Sequence, residues 1–188
     1  MSKRLVSGII LATIALYLWG MLYWGANPLP YKTWRQTADV TGARQALLQY
    51  FPETGTYFIP GLHHDEATLN QLFAEGPIAF VHLNSREGRP VFDPGIMVKG
   101  FVLDLVVVVL IALLLQLASP ALGSYGQRVK LIAIAGLTAT VLVDIGDVVW
   151  WYLPWDWKLQ QAGYTFGAWL VSGLVLAKFV APSTMVNR

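Results

Sequence analysis

Apolar residues gather into four long runs, at 5–25, 98–118, 131–151 and 162–181. Each is too long for a strand and too evenly apolar for one face of a soluble helix. About 20 apolar residues in helical form span the ~30 Å hydrocarbon core of a bilayer. The pattern therefore predicts four transmembrane helices. The second run, with LDLVVVVLIALLLQL at its centre, is bulky on every side, which suits lipid contact or a flat helix–helix interface. The fourth carries Gly163 and Gly167, then Ser172 and Gly173. Small residues at that spacing let helix backbones approach closely, inside the bundle or on a partner.

The polar stretch 26–97 separates the first two runs and changes period. Asn27-Pro28-Leu29-Pro30 makes a stiff exit from the first run. Residues 38–50 have helical spacing, with Val40, Ala43, Leu47 and Tyr50 on one side. Residues 56–59 are aromatic and β-branched between Gly55 and Pro60, a short strand. His64 or Asp65 caps a helix that runs to Ala74 and stops at Gly76-Pro77. Residues 78–83 form a second strand, and 89–92 return as its hairpin partner after the turn 84–88. The prediction is a small α+β domain, marginal by itself at such a size. The fold class is thus an all-α integral membrane protein: a four-transmembrane-helix bundle with a small α+β extracytoplasmic domain between helices 1 and 2. The parts are 1–25, 26–97 and 98–188.

Composition supports that reading. Of 188 residues, 55% are hydrophobic and 13% charged, against roughly 25% charged in soluble domains. Mean hydropathy is +0.51. A net charge of +2 without a basic stripe argues against nucleic acid as a partner. The absence of Cys removes disulfides, thiolate metal sites, a cysteine nucleophile and thiol redox chemistry. Lys3 and Arg4 precede the first run as in a signal peptide. The run exceeds the roughly 7–15 residues of a cleavable h-region, however, and ends in Tyr23-Trp24 without a small-residue cleavage site. It reads as an uncleaved signal anchor. Lys3, Arg4, Arg128, Lys130, Lys178 and Arg188 fall on one side of the helices, and the short loop opposite offers Lys158. Basic residues in short loops mark the cytoplasm. Both termini are then cytoplasmic and 26–97 lies outside, periplasmic in a bacterial inner membrane. The order of helix, outer domain and three helices resembles the layout of claudins and tetraspanins in topology alone, since both carry signature cysteines.

Three acids sit inside the runs: Asp104 in the second, Asp144 and Asp147 in the third. Charge in hydrocarbon is costly and usually has a purpose. Asp144 and Asp147 are three residues apart, on one helical face, beneath a turn read at 153–161 and crowded with Trp150, Trp151, Tyr152, Trp155 and Trp157. Asp104 falls at a similar depth, so the three could form one cation or proton site. The alternatives are hydrogen bonds to nearby polar groups, pairing with Lys99 or Lys158, or pairing with a basic residue of another subunit. His63, His64 and His82 all fall in 26–97. No histidine lies on a membrane run, so no haem ligated by membrane histidines is expected. His63-His64-Asp65-Glu66 with His82 is a weak metal candidate, because adjacent histidines diverge; a solvated helix start is the plainer reading. No G-x-S-x-G, P-loop or H-E-x-x-H occurs, and Ser85 and Ser119 have no evident base beside them.

Two functions follow as expectations. The first is a non-catalytic accessory subunit of a larger bacterial membrane complex of respiratory, photosynthetic or oxidase type, with lipid and other membrane subunits as its partners. The second is a membrane enzyme or proton- or cation-coupled protein using Asp104, Asp144 and Asp147.

Overall fold

The computed structural model describes residues 2–84 and 86–180. Ser85, the predicted end of the last helix at 181 and Arg188 lie outside the described residues. The chain divides into two compact units: Met1–Arg35 with Pro94–Arg188, and Gln36–Asp93. Most of it is helical, with one two-stranded sheet.

The first unit holds the long helices. Helix α1 (Lys3–Gly20), capped by Ser2, continues as a π-helical turn over Met21–Ala26. After the second unit, whose described residues hold two helices and two strands, α4 (Pro94–Ala118) returns across the first. A Ser119–Ala121 turn leads to α5 (Tyr125–Thr140), a π-helical turn Val141–Ile145 and α6 (Gly146–Trp151), one continuous rod. Helix α7 (Trp155–Leu176) closes the unit. Three spans, Lys3–Ala26, Pro94–Ala121 and Tyr125–Trp151, are long and apolar enough to cross a membrane. The fourth predicted span does not join them. Asp156, Lys158, Gln160 and Gln161 occupy the first two turns of α7 and dilute its apolar character.

Helix α4 lies against α1, α1 against α7, and α7 against α5. Leu5, Ile9, Ala12 and Leu16 recur at alternating steps of four and three and line one buried stripe of α1. They meet Val108, Ile111, Ala112 and Leu115 of α4, Ile132 of α5 and Leu176 of α7. This apolar core occupies the end of the bundle where α1 starts and α4 and α7 finish. Arg4 donates to the Lys178 carbonyl, and the buried Arg128 donates to the carbonyls of Ala177 and Leu122. Both guanidinium groups thereby satisfy carbonyls at or near the C-terminus of α7, where its dipole favours positive charge. Gly163 and Gly167 are used inside the bundle, beneath the Tyr23 hydroxyl and the Trp19 ring of α1 and its extension.

Two expected loops are helix instead. The connection read at 119–130 shrinks because Ser124 and Gln127 form a reciprocal cap that starts α5 early, placing Arg128 and Lys130 on a helix. The turn read at 153–161 shrinks to Tyr152–Pro154. Tyr152 takes a left-handed conformation (φ 55°) that ends α6, and Pro154 stands just before α7. Lys158 is consequently a helix residue.

In the second unit, α2 (Val40–Tyr50) is capped by Asp39, and α3 (Glu66–Glu75) by Asp65. Strands β1 (Gly55–Ile59) and β2 (Ala79–Leu83) pair antiparallel, Gly55 opposite Leu83 and Ile59 opposite Ala79. Residues 89–92 form no strand, against the hairpin expectation. Pro90 has no N–H to give a ladder, and Val91 and Phe92 are exposed, so nothing draws that segment onto β2. Residues 26–35 and 94–97, read from the sequence as outer domain, cluster with the long helices.

Candidate functional site

The end of the helical unit opposite its apolar core is polar and aromatic. The π-helical turn Val141–Ile145 inserts one extra residue into the α5–α6 rod and carries Asp144, with Asp147 in the next turn. The tight Tyr152–Pro154 connection folds α7 back beside them. Lys158, in the first turn of α7, then lies nearly level with Asp147, the two about 4.5 and 6 Å from their own helix ends at ~1.5 Å per residue. Lys158 Nζ donates to Asp144 Oδ1 and to Asp147 Oδ2, both at 2.9 Å.

The triad is unevenly buried. The Lys158 and Asp144 side chains are 5% and 6% exposed, whereas that of Asp147 is 35% exposed. Asp144 Oδ2 is fully buried without a hydrogen-bond partner. One ammonium faces two carboxylates, so the ionised triad keeps one uncompensated negative charge. Asp147 can meet polar surroundings at the surface; Asp144 cannot. The lysine supplies the counter-charge that burial of Asp144 demands.

An aromatic cluster stands beside the triad. Trp19 Nε1 donates to the Tyr164 carbonyl at 3.1 Å, and the Tyr23 hydroxyl to the Gln160 carbonyl at 2.8 Å. The Tyr23 and Trp24 rings lie 5.6 and 5.4 Å from that of Tyr164. Trp157 bridges Trp24 at 5.8 Å and Trp34 at 5.7 Å. These tilted and edge-on contacts tie the exit of α1 to α7. Trp150, Trp151, Tyr152 and Trp155 are exposed, as rings of an interfacial belt would be.

Asp104 does not join the triad. It lines a groove of about 450 Å³ between α1, α4 and α7, together with Tyr17, Trp24, Tyr31 and Tyr164. The predicted three-acid cluster is therefore two separate sites. The acids of one are paired with a lysine of the same chain, as one sequence alternative had it. In the second unit, the His63 and His64 rings lie tilted against each other with centroids 4.2 Å apart, while His82 bonds Thr56 Oγ1 at 3.0 Å and stacks on Phe80. Among the described residues no three His, Asp or Glu side chains stand close enough to hold a metal ion, and this applies to the histidine set and to Asp104, Asp144 and Asp147 alike.

The groove had no signal in the sequence, because its lining comes from three helices far apart in the chain. Lys158 was visible there as a pairing candidate, but its burial was not. Comparison with protein-family models, curated proteins and solved structures gives no match.

Proposed function

We propose that this chain is an integral membrane protein that serves as a non-catalytic accessory subunit of a larger membrane complex. In this reading four helices cross a bacterial inner membrane, α7 included. The Lys158 half of α7 reaches the boundary through its belt of tryptophans. The basic end, with Arg4, Arg128 and Lys178, faces the cytoplasm, and the 36–93 unit lies outside. The complex is of respiratory, photosynthetic or oxidase type.

The observation that carries the reading is the Lys158 bridge to Asp144 and Asp147. The two acids best placed for chemistry are engaged in joining α6 to α7. Around them the chain offers apolar helix faces, with Val102, Leu103, Val106 and Leu110 exposed on α4. Such faces suit lipid or neighbouring subunits. The test is affinity purification of the chain, at its natural abundance, from native membranes in mild detergent. Stoichiometric co-purification with other membrane proteins is the expected result. A chain that always emerges alone would overturn the reading.

A second reading rests on Asp144 Oδ2, buried and without a hydrogen-bond partner. Two carboxylates against one ammonium leave room for a proton, as in a proton-coupled membrane protein. Under that reading Asp144→Asn abolishes proton-coupled activity in the host membrane without lowering the amount of protein. Under the accessory reading any loss follows the amount of assembled complex.

A further inference from the structure

The Asp104 groove has no part in the triad, and its chemistry is of a different kind. Asp104 lies ten residues into α4, about 15 Å along the helix from its start. Among the described residues no hydrogen bond or ion pair reaches its carboxylate; Tyr164 is within electrostatic reach. The Tyr164 hydroxyl, on the same groove, likewise makes no hydrogen bond to a described residue. The other two tyrosine hydroxyls are spent: Tyr17 donates to the Met97 carbonyl and Tyr31 to the Trp24 carbonyl. A lone acid in a lining otherwise of rings and apolar side chains is costly.

The remaining lining sorts the possible occupants. A hard metal ion takes six or more oxygen ligands, and one carboxylate with one phenol falls far short. Aromatic faces attract organic cations, whose charge is spread and whose hydration is weak. A carboxylate among such rings supplies the opposite charge. Met21, Met97 and Leu103 provide an apolar wall for a hydrocarbon portion. The volume of about 450 Å³ falls in the range of small-ligand sites. Gly25 and Gly100 belong to the lining, and a Cβ at either would meet nothing within 4 Å.

We propose that the groove between α1, α4 and α7 binds a monovalent organic cation bearing an alkyl chain, an alkylammonium, with its nitrogen on Asp104 and its chain along the apolar wall. The nitrogen donates to the Asp104 carboxylate and lies against the aromatic rings; Tyr164 offers its hydroxyl beside them.

The probe is n-octylammonium added to the full-length chain in a non-ionic detergent, with n-octanol and n-octyl sulfate as neutral and anionic controls. The readout is the thermal midpoint followed by tryptophan fluorescence, titrated to saturation. A saturable rise with octylammonium, absent with both controls, is expected. Asp104→Asn should weaken that binding about tenfold or more, the worth of one charge-assisted bond. Asp104→Glu should keep it. Gly100→Leu adds a branched side chain to the groove lining, at a position where a Cβ meets nothing within 4 Å, so it should weaken or abolish the shift. Leu110→Ala, on the same helix outside the groove, should change nothing in binding. An equal rise with octanol, or an undiminished octylammonium shift in Asp104→Asn or Gly100→Leu, would overturn the proposal. So would no shift in the wild-type chain, which would point instead to a basic residue of a partner helix on Asp104.

Discussion

Lys158→Met isolates the cost of the buried acid. The substitution keeps most of the side-chain volume and removes the only cation bridging Asp144 and Asp147 among the described residues. Asp144 is then stranded, because its Oδ2 has no partner even with the lysine present. Asp147, with its side chain 35% exposed, finds polar surroundings and adds little. The expected destabilisation is about 3–4 kcal/mol at pH 7, in the range measured for removing one side of a buried pair and leaving the other charge unpaired.

The assay is denaturant titration of the purified chain in micelles at pH 7, followed by tryptophan fluorescence. Asp144→Leu combined with Lys158→Met removes the stranded charge along with its partner and should recover most of the loss. A Lys158→Met protein within about 0.5 kcal/mol of wild type would refute the reasoning, since that is the scatter of neutral surface changes. A double variant no more stable than Lys158→Met alone would refute it as well.

Other outcomes follow from the same structure. Gly173→Ala places a Cβ 2.6 Å from Ile132 Cγ2, so it should cost about 1–3 kcal/mol in the same titration, while Gly25→Ala should cost nothing of that kind. The isolated Gln36–Asp93 segment should show no cooperative melt by circular dichroism, because the buried aliphatic side chains among the described residues all belong to the other unit. The Thr68 hydroxyl and amide hold the Asp65 carboxyl below its ordinary range. Its contribution to α3 is therefore present above about pH 4, the unfolded value, and lost as pH falls through the lower folded one. Asp65→Asn should remove that acid-dependent step, read from amide exchange of α3 in the full-length chain. Reporter fusions after Ser124 and after Gly88 should read cytoplasmic and extracytoplasmic respectively; the reverse would invert the proposed topology.

Much of the architecture is written in local pattern. All four apolar runs fall on helices over most of their described length, and the first three lie in helices long and apolar enough to cross a membrane. Asp39, Asp65 and Ser124 start helices where side chains of their kind cap orphan N–H groups. The misread places depend on information that pattern does not carry. Tyr152 ends α6 with a left-handed residue that composition assigns to glycine, so the turn looked longer than it is. Lys158 looked like a loop cation because sequence does not reveal that α7 starts at Trp155. The pairing of β2 with β1 crosses α3, a longer connection than the hairpin that proximity suggested. At the site, the i, i+3 spacing of Asp144 and Asp147 was legible, and the separation of Asp104 from them was not. Helical depth is a single coordinate, and which neighbour a residue faces is set by how α1 packs between α4 and α7.

In the proposed function the charges at 144, 147 and 158 hold helices together so that the chain can sit in a larger assembly. The most direct test replaces all three, with Asp144→Leu, Asp147→Asn and Lys158→Met, and measures the size of the particle containing the chain by native electrophoresis of mild-detergent membrane extracts. A wild-type-sized particle is expected for the triple variant, and its loss for Lys158→Met alone. A triple variant as stable as wild type in micelles but missing from that particle would contradict it, because the charges would then act beyond the helices they join. A wild-type chain migrating at its own 20.8 kDa would contradict it more simply.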